Sequence, residues 1–237
     1  MKAIFLLAAL AVSSVSAAEE LRIFNWLQYI PDEVIEQFEE ENNVDIIYDT
    51  YDSAEKMETQ MLTGASGYDL VFPGSASLGR LIQSGALEKI DMSQLTNLSN
   101  IDPEFLQLVR ETGDSNNEYA VPYLWGTNII GYNQAMVKEA TGKDALTSWD
   151  DILNVETLKK LDSCGVAMMD SPTEIVPLVL FHLGLDPYST KPADYKKVEQ
   201  YMATLRPYIR YFNSSQYVTD LANGEVCAVI GWSGSIF

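Results

Sequence analysis

The sequence predicts an α/β protein of two lobes, each built around a sheet with helices on both faces. Strand-like and helix-like segments alternate in the order βαβαβ as far as Gly85, which favours a parallel sheet. The alternation begins again after residue 130. The 220 residues from Ala18 onwards suffice for two lobes of about 100 residues each. We expect a first lobe over 18–129 and a second lobe over 130–237.

The first lobe is predicted to begin with a strand, Leu21–Trp26, and a helix over 31–42. Pro31 suits the first turn of that helix, where its missing N–H would have no intrahelical partner. Three apolar residues recur at helical spacing and form the stripe that we expect to be buried. They are Val34, Ile35 and Phe38.

A second strand, Val44–Tyr51, leads into a helix that Ser53 caps and Gly64 ends. The side of this helix that should face the core carries Met57, Met61 and Leu62. The remaining elements of the lobe are a strand over 68–72 and a short helix over 78–84.

The C-terminal ends of these three parallel strands should meet at one edge of the sheet, where α/β proteins hold ligands. The segments at that edge are Trp26–Tyr29, Asp49–Asp52 and Pro73–Ser77. We therefore expect an aromatic pair and a serine-rich turn to line a cleft.

A β-rich stretch, Tyr123–Asn133, is predicted to carry the chain into the second lobe. Helix-like patterns then cover 149–161, 172–183, 194–205 and 217–223, and strand-like patterns cover 166–169 and 226–231. The sequence ends six residues after the last strand. Because domains usually end in a docked surface element, we expect that either a stop has cut the protein or only part of it is represented.

The first seventeen residues have the three parts of a secretory signal. Lys2 provides a positive start, Ala3–Val12 is an apolar core, and Val15 and Ala17 precede the expected cleavage before Ala18. The core is shorter than the roughly 20 residues needed to cross a bilayer. We expect a soluble exported protein that begins at Ala18, with a buried N-terminal helix as the alternative interpretation of the segment.

The mature protein would be strongly acidic, with 14 basic and 34 acidic residues once Lys2 is removed and a net charge of −20. Such a surface repels nucleic acid and anionic lipid and attracts small cations. Acidity also keeps exported proteins soluble, so the charge permits a cationic ligand without requiring one.

The sequence contains two cysteines, Cys164 and Cys227. In an oxidising compartment an even number of cysteines favours one intramolecular disulfide. Two buried free thiols are the alternative, and two cysteines with a single histidine make a poor metal site.

Catalytic patterns are weak. The single histidine, His182, lies between two apolar residues in a predicted helix, whereas a nucleophile needs an adjacent base. Ser233 lacks the glycine two residues later that a nucleophile elbow requires, and no P-loop or HExxH pattern occurs. We expect no enzyme activity and no cofactor, with paired glycosidase-type carboxylates as the open alternative.

Several motifs, in order along the chain, resemble the periplasmic spermidine/putrescine-binding proteins of ABC importers. In the first lobe they are Phe24-Asn25-Trp26-x-x-Tyr29-Ile30-Pro31, Tyr68-Asp69-Leu70-Val71 and Pro122-Tyr123-x-Trp125-Gly126-Thr127. In the second lobe they are Gly131-Tyr132-Asn133, Ser163-Cys164-Gly165, the run from Arg210 to Tyr217, the run from Asp220 to Cys227, and Gly231-Trp232-Ser233-Gly234. The putrescine-type branch, which this chain resembles most, has cysteines that match Cys164 and Cys227.

The resemblance implies a type II periplasmic-binding-protein fold, with two α/β lobes of mixed sheets joined by crossover strands. Because members of the family are usually longer, it also implies that the second lobe and its return crossover are incomplete here. It also implies a polyamine ligand, whose ammonium groups need carboxylates and whose methylenes pack on aromatic faces. The candidate ligand-binding residues are Trp26, Tyr29, Ser75, Glu174, Trp232 and Ser235. The two tryptophans could instead be plain core residues, and Glu174 a solvated first-turn acid.

Four positions depart from the family pattern. Leu27 and Gln28 stand where the family often has Ser or Thr followed by an acid. Ala76 stands where a serine or an aromatic residue is common, and Ser235 replaces an aspartate of the putrescine-type sequences. The choice of polyamine is therefore open, and another cationic or zwitterionic solute is an alternative.

The predicted function is capture of putrescine or spermidine by a periplasmic monomer that delivers it to an ABC permease of the inner membrane. Presentation of the ligand to a receptor is one alternative. A truncated, non-functional fragment is another.

Overall fold

The structure is a computed structural model that describes residues 18–64 and 67–236. The expected signal segment, 1–17, lies outside the described residues. Within those two ranges, none of the helices combines the length and the apolar character needed to cross a membrane.

The described residues form seven strands and eleven α-helices. The strands are β1 (Glu19–Trp26), β2 (Val44–Tyr51), β3 (Leu70–Val71), β4 (Asn128–Tyr132), β5 (Val166–Met168), β6 (Tyr211–Phe212) and β7 (Ala228–Trp232). The helices are α1 (Asp32–Asn42), α2 (Ala54–Leu62), α3 (Ser75–Gln83), α4 (Pro103–Glu111), α5 (Gln134–Thr141), α6 (Trp149–Ile152), α7 (Val155–Leu161), α8 (Pro172–His182), α9 (Pro192–Leu205), α10 (Gln216–Asn223) and α11 (Ser233–Ile236).

The first sheet has three parallel strands in the order β2-β1-β3, which confirms the predicted βαβαβ unit. β1 and β2 pair over their full length, ending with Trp26 opposite Tyr51. Met57 of α2 and Leu81 of α3 are fully buried and form much of this lobe's core. The C-terminal ends of the strands therefore lie side by side, as the sequence predicts.

The second sheet has four strands in the order β4-β7-β5-β6. β4 runs antiparallel to β7, whereas β5 runs parallel to both of its neighbours, so the sheet is mixed. The boundary expected after residue 129 falls inside β4, whose five residues, Asn128–Tyr132, all pair with β7.

A disulfide joins Cys164, shortly after α7, to Cys227, just before β7. The two Cα atoms are 5.4 Å apart, and 63 residues separate the cysteines along the chain. The predicted disulfide is therefore confirmed, and it closes a long loop within the second lobe.

The predicted burial of the α1 stripe is wrong for two of its three residues. Val34 is 53% exposed and Phe38 is 45% exposed. The half-buried side of the helix instead carries Ile35 and Glu39, one turn apart. The Glu39 carboxylate accepts a hydrogen bond from the Ile46 amide of β2 at 2.6 Å, which holds that side against the sheet.

Other elements differ in their extent. Leu62 is 47% exposed because it lies one residue past Met61 and so leaves the buried face of α2. The helix predicted over 149–161 is two helices, since the Asn154 side chain accepts two amide hydrogen bonds and starts α7. The strand predicted from Tyr123 is regular only from Asn128.

Candidate functional site

Trp26 ends β1 at the junction between the two lobes. Its indole Nε1 donates a hydrogen bond to the Phe72 carbonyl at 2.9 Å. Its ring packs against Tyr51, with the centroids 4.7 Å apart, and the Tyr51 hydroxyl donates to the same carbonyl. The ends of the three parallel strands therefore fix this indole.

Trp232, the last residue of β7, meets Trp26 from the second lobe. The ring centroids are 5.7 Å apart and the planes are inclined by 67°, an edge-to-face geometry that aromatic rings favour. The Trp232 amide donates to the hydroxyl of the fully buried Tyr217 at 3.2 Å. Two tryptophans from separate sheets thus form one aromatic surface.

Tyr29 is the third aromatic residue at this junction. Its ring centroid lies 6.2 Å from that of Trp26, and its carbonyl accepts a hydrogen bond from the Tyr123 hydroxyl at 3.2 Å. Gln28 makes the intervening turn with a φ of 65°, in the left-handed region that few residues other than glycine adopt. We refer to Trp26, Tyr29 and Trp232 as the aromatic cluster.

Glu174 is the third residue of α8, close to the positive end of that helix. Its Oε2 accepts a hydrogen bond from Nδ2 of Asn128 at 2.8 Å. The pKa of Tyr29 is raised, first by burial and then by the neighbouring Tyr217, Tyr123 and Glu174. Asn128 lies opposite Trp232 in the β4–β7 pair, so the Glu174 carboxylate lies at the strand end that carries Trp232.

The two candidate serines lie at the edge of this group. Ser75 is exposed and directly follows a glycine at which an added Cβ would lie 3.8 Å from the Trp26 ring. Ser235 is half-buried in α11. Burial raises the pKa of Tyr217, and the Trp232 amide and then the Ser235 side chain oppose that rise. Four of the six predicted residues are brought together: Trp26, Tyr29 and Trp232 through their rings, and Glu174 through Asn128, the residue that pairs with Trp232.

Sequence reasoning missed Tyr51, Asn128 and Glu55. Tyr51 ends a strand at the predicted cleft edge, so a signal for it existed. Glu55 lies in α2 of the first lobe, yet its carboxylate accepts a hydrogen bond from the Thr173 amide of α8 at 3.2 Å. No local pattern distinguishes Glu55 from the other first-turn acids of this chain.

The junction offers aromatic faces, a carboxylate and hydroxyl groups. Aromatic faces attract cations and pack against alkyl groups, and a carboxylate forms strong hydrogen bonds with a cation. In the described part of the chain, no group of three or more His, Cys, Asp or Glu side chains is arranged to hold a metal ion. The arrangement suits an organic cation that has an apolar segment.

Comparison with known proteins places the chain in a family. The family model for bacterial extracellular solute-binding proteins matches residues 33–237. The putrescine-binding periplasmic protein SpuD of Pseudomonas aeruginosa is 43% identical over 218 residues, which are 92% of this chain and 59% of that protein. The putrescine-binding periplasmic protein PotF of Escherichia coli is 43% identical over 234 residues, 98% of this chain and 63% of that protein.

Solved structures agree on the fold. The TpPotD lipoprotein of Treponema pallidum superimposes with a TM-score of 0.77 at 28% identity, covering 92% of this chain and 65% of that one. The chain thus spans about three fifths of the length of the curated relatives it matches. The fold is the type II periplasmic-binding-protein fold, and this chain belongs to the family of bacterial extracellular solute-binding proteins.

Proposed function

We propose that this protein captures a polyamine, putrescine or spermidine, in the periplasm and delivers it to an ABC permease. The observation that carries this proposal is the meeting of Trp26 and Trp232 from opposite lobes, with ring centroids 5.7 Å apart. Glu174 is hydrogen-bonded to Asn128, the residue that pairs with Trp232. Capture is reversible and involves no covalent chemistry.

The residues at the junction match the chemistry of a polyamine, which is a chain of methylenes with an ammonium group at each end. The aromatic cluster supplies faces for the methylenes and cation–π contacts worth about 0.5–2 kcal/mol each. The hydrogen-bond acceptors for the ammonium ends are Glu174, Ser75 and Ser235.

Two further observations support the proposal. Two relatives that match nearly the whole chain at 43% identity are named putrescine-binding periplasmic proteins. The formal net charge of −19 attracts small cations over long distances.

A second candidate ligand is a different cationic or zwitterionic solute. The observation that favours it is the loss of polar and acidic side chains at three positions. Leu27 and Gln28 stand where the resembling proteins often have Ser or Thr followed by an acid, and Ser235 stands where the putrescine-type proteins have an aspartate. Fewer carboxylates at the junction would weaken the binding of a second ammonium group.

The remaining parts of the proposal concern the organisation of the protein. We place the lobes at 18–129 and 130–237 and the signal segment at 1–17. The protein acts as a monomer in the periplasm, binds no nucleic acid and catalyses no reaction.

Isothermal titration of the secreted chain with putrescine, spermidine and spermine tests the function, with glutamine as a control solute. We expect binding near micromolar, about −8 kcal/mol, for at least one polyamine and none for glutamine. Trp232→Ala should raise the dissociation constant at least about tenfold. The matched control is Trp125→Ala, because Trp125 is 74% exposed and lies outside the aromatic cluster. Binding of glutamine but of no polyamine would favour the second candidate.

A further inference from the structure

We infer that Glu55 is a positioning residue that fastens the first lobe to the second and holds Glu174 against the aromatic cluster. The inference rests on the proposed function in that the contact closes the lobes over a ligand. It concerns a residue that has no place in the predicted ligand set.

The contact crosses from one lobe to the other. Glu55 lies in the first turn of α2, and its Oε1 accepts hydrogen bonds from the Thr173 amide at 3.2 Å and the Thr173 hydroxyl at 3.0 Å. The Ser171 hydroxyl lies 3.5 Å and 3.4 Å from the two carboxylate oxygens. Residues 118 positions apart along the chain are thereby joined.

The start of α8 depends on this carboxylate. The first amides of a helix have no partner within the helix, and a negative charge is stabilised at that end. Ser171 is the N-cap residue of α8, but its side chain accepts no capping hydrogen bond. In α2, by contrast, the N-cap Ser53 accepts a hydrogen bond from the Lys56 amide in the usual way. Glu55 therefore performs for α8 the capping role that Ser171 leaves open.

The position of the contact gives it a consequence for binding. Thr173 directly precedes Glu174, whose carboxylate accepts a hydrogen bond from Asn128, the residue opposite Trp232 in the β4–β7 pair. Since both residues belong to the first turn of one rigid helix, fixing Thr173 also fixes Glu174 relative to the first lobe. The Glu55 carboxylate thus holds the two lobes together, and the Glu174 carboxylate, on the other side of the junction, contacts the ligand.

Amide hydrogen exchange at Thr173 reports this contact directly, without any ligand. In the isotope-labelled full chain we expect exchange to become at least about tenfold faster in Glu55→Ala. Glu55→Gln should restore part of the protection, because its side-chain oxygen can still accept the hydrogen bond. The matched control is Glu58→Gln, which removes a charge from the same helix but from a pair with Arg80 inside the first lobe. Equal exchange rates at Thr173 in the wild type and Glu55→Ala would overturn the inference.

Binding kinetics with putrescine separate a lobe-closing contact from a general effect of charge. Thr173→Val removes the hydroxyl that Glu55 binds and leaves the net charge unchanged. We expect putrescine release to become about tenfold faster in both Glu55→Ala and Thr173→Val, with association within about twofold of the wild type. A change confined to association and abolished by salt would mean that Glu55 acts only through long-range attraction, and the inference would fail.

The two proposals fail in different ways. If the wild-type chain binds no polyamine, only the proposed function is overturned, because amide hydrogen exchange at Thr173 tests the Glu55–Thr173 contact without any ligand. Protection of Thr173 that survives in Glu55→Ala overturns the contact alone, because polyamine binding is measured separately.

Discussion

The two lobes bury apolar side chains to different extents. In the described residues, the second lobe has a single core cluster of 22 buried residues. The buried hydrophobic residues of the first lobe are Ile23, Phe24, Tyr51, Ala54, Met57, Met61, Leu78 and Leu81. Exposed large apolar side chains show the reverse distribution: over residues 18–64 and 67–236, eleven lie before residue 128 and three after it. Apolar burial is the main favourable contribution to folding, so the second lobe should be the more stable of the two.

The lobe with the larger core also contains the disulfide, whereas the lobe with the smaller core supplies more of the aromatic cluster. The second lobe contains both the disulfide and the larger core, whereas the first lobe supplies Trp26 and Tyr29 to the junction. Regions that open at low free energy are often the regions that move on binding. We therefore expect two unfolding transitions, with the first lobe unfolding before the second.

Removing the disulfide should have the largest effect on this comparison. The double variant Cys164→Ser, Cys227→Ser opens a loop of 63 residues. In the chain-entropy model this lowers the free energy of unfolding by about 4 kcal/mol. The loop lies wholly within the second lobe, so only the second transition should fall in temperature. Calorimetry of the wild type and the variant measures both transitions. Equal losses in both would mean that the lobes unfold as one unit.

Truncation of matched leucines should give the next largest difference. Leu158 of α7 is fully buried, and Leu158→Ala should lower the free energy of unfolding by about 3 kcal/mol. Leu62 of α2 is 47% exposed, and Leu62→Ala should change it by less than about 0.5 kcal/mol. Urea denaturation measures both values. Similar costs at the two positions would remove the basis for the contrast between the lobes.

Much of the fold could be predicted because capping and helix-ending residues show in the sequence where helices begin and end. Ser53 caps α2 as expected, and the βαβαβ order followed from such residues. α5 also carries them, with Asn133 as its cap and Gly142 at its end, but a strand predicted through Asn133 hid its start. Which face of α1 is covered could not be predicted, because Val34 and Phe38 satisfy helical spacing whether or not anything packs against them.

The candidate site also contains residues that the sequence predicts and residues that it does not. The rule that ligands sit at the C-terminal ends of parallel strands predicted Trp26 and Tyr29 from the sequence alone. Glu174 and Trp232 required the family resemblance, since no local pattern marks them as ligand-binding. Glu55 was missed because its role depends on how two distant helices face each other across the junction.

The capping carboxylate of α6 should give a smaller, pH-dependent effect in the second lobe. Asp151 accepts hydrogen bonds from the amides of Thr147 at 2.8 Å and Ser148 at 3.1 Å and pairs with Lys143. Lys143 does most to hold the pKa of Asp151 below its usual value; burial opposes this, and the two amides reinforce it. A carboxyl with a lowered folded-state pKa stabilises the fold above the unfolded value of about 3.9, and this contribution is lost as the pH falls below it.

Asp151→Asn should therefore cost about 1 kcal/mol at neutral pH, and the difference from the wild type should shrink below about pH 4. Denaturation at a series of pH values measures this difference. The control is Asp144→Asn, because the Asp144 side chain is 77% exposed in its pair with Lys138 and should contribute less than about 0.5 kcal/mol. A cost of Asp151→Asn that stays constant down to about pH 2 would contradict the lowered pKa.

The smallest expected effect lies on the exposed face of α1, and it tests whether that face is open in solution. Val34 is 53% exposed, and alanine is the better helix former, so Val34→Ala should change the free energy of unfolding by less than about 0.5 kcal/mol. Val179 of α8 is fully buried, and the control Val179→Ala should lose about 2 kcal/mol. Denaturation at several protein concentrations measures both values. If Val34→Ala cost as much as Val179→Ala, another surface would have to cover α1, and the first lobe would be as well packed in solution as the second.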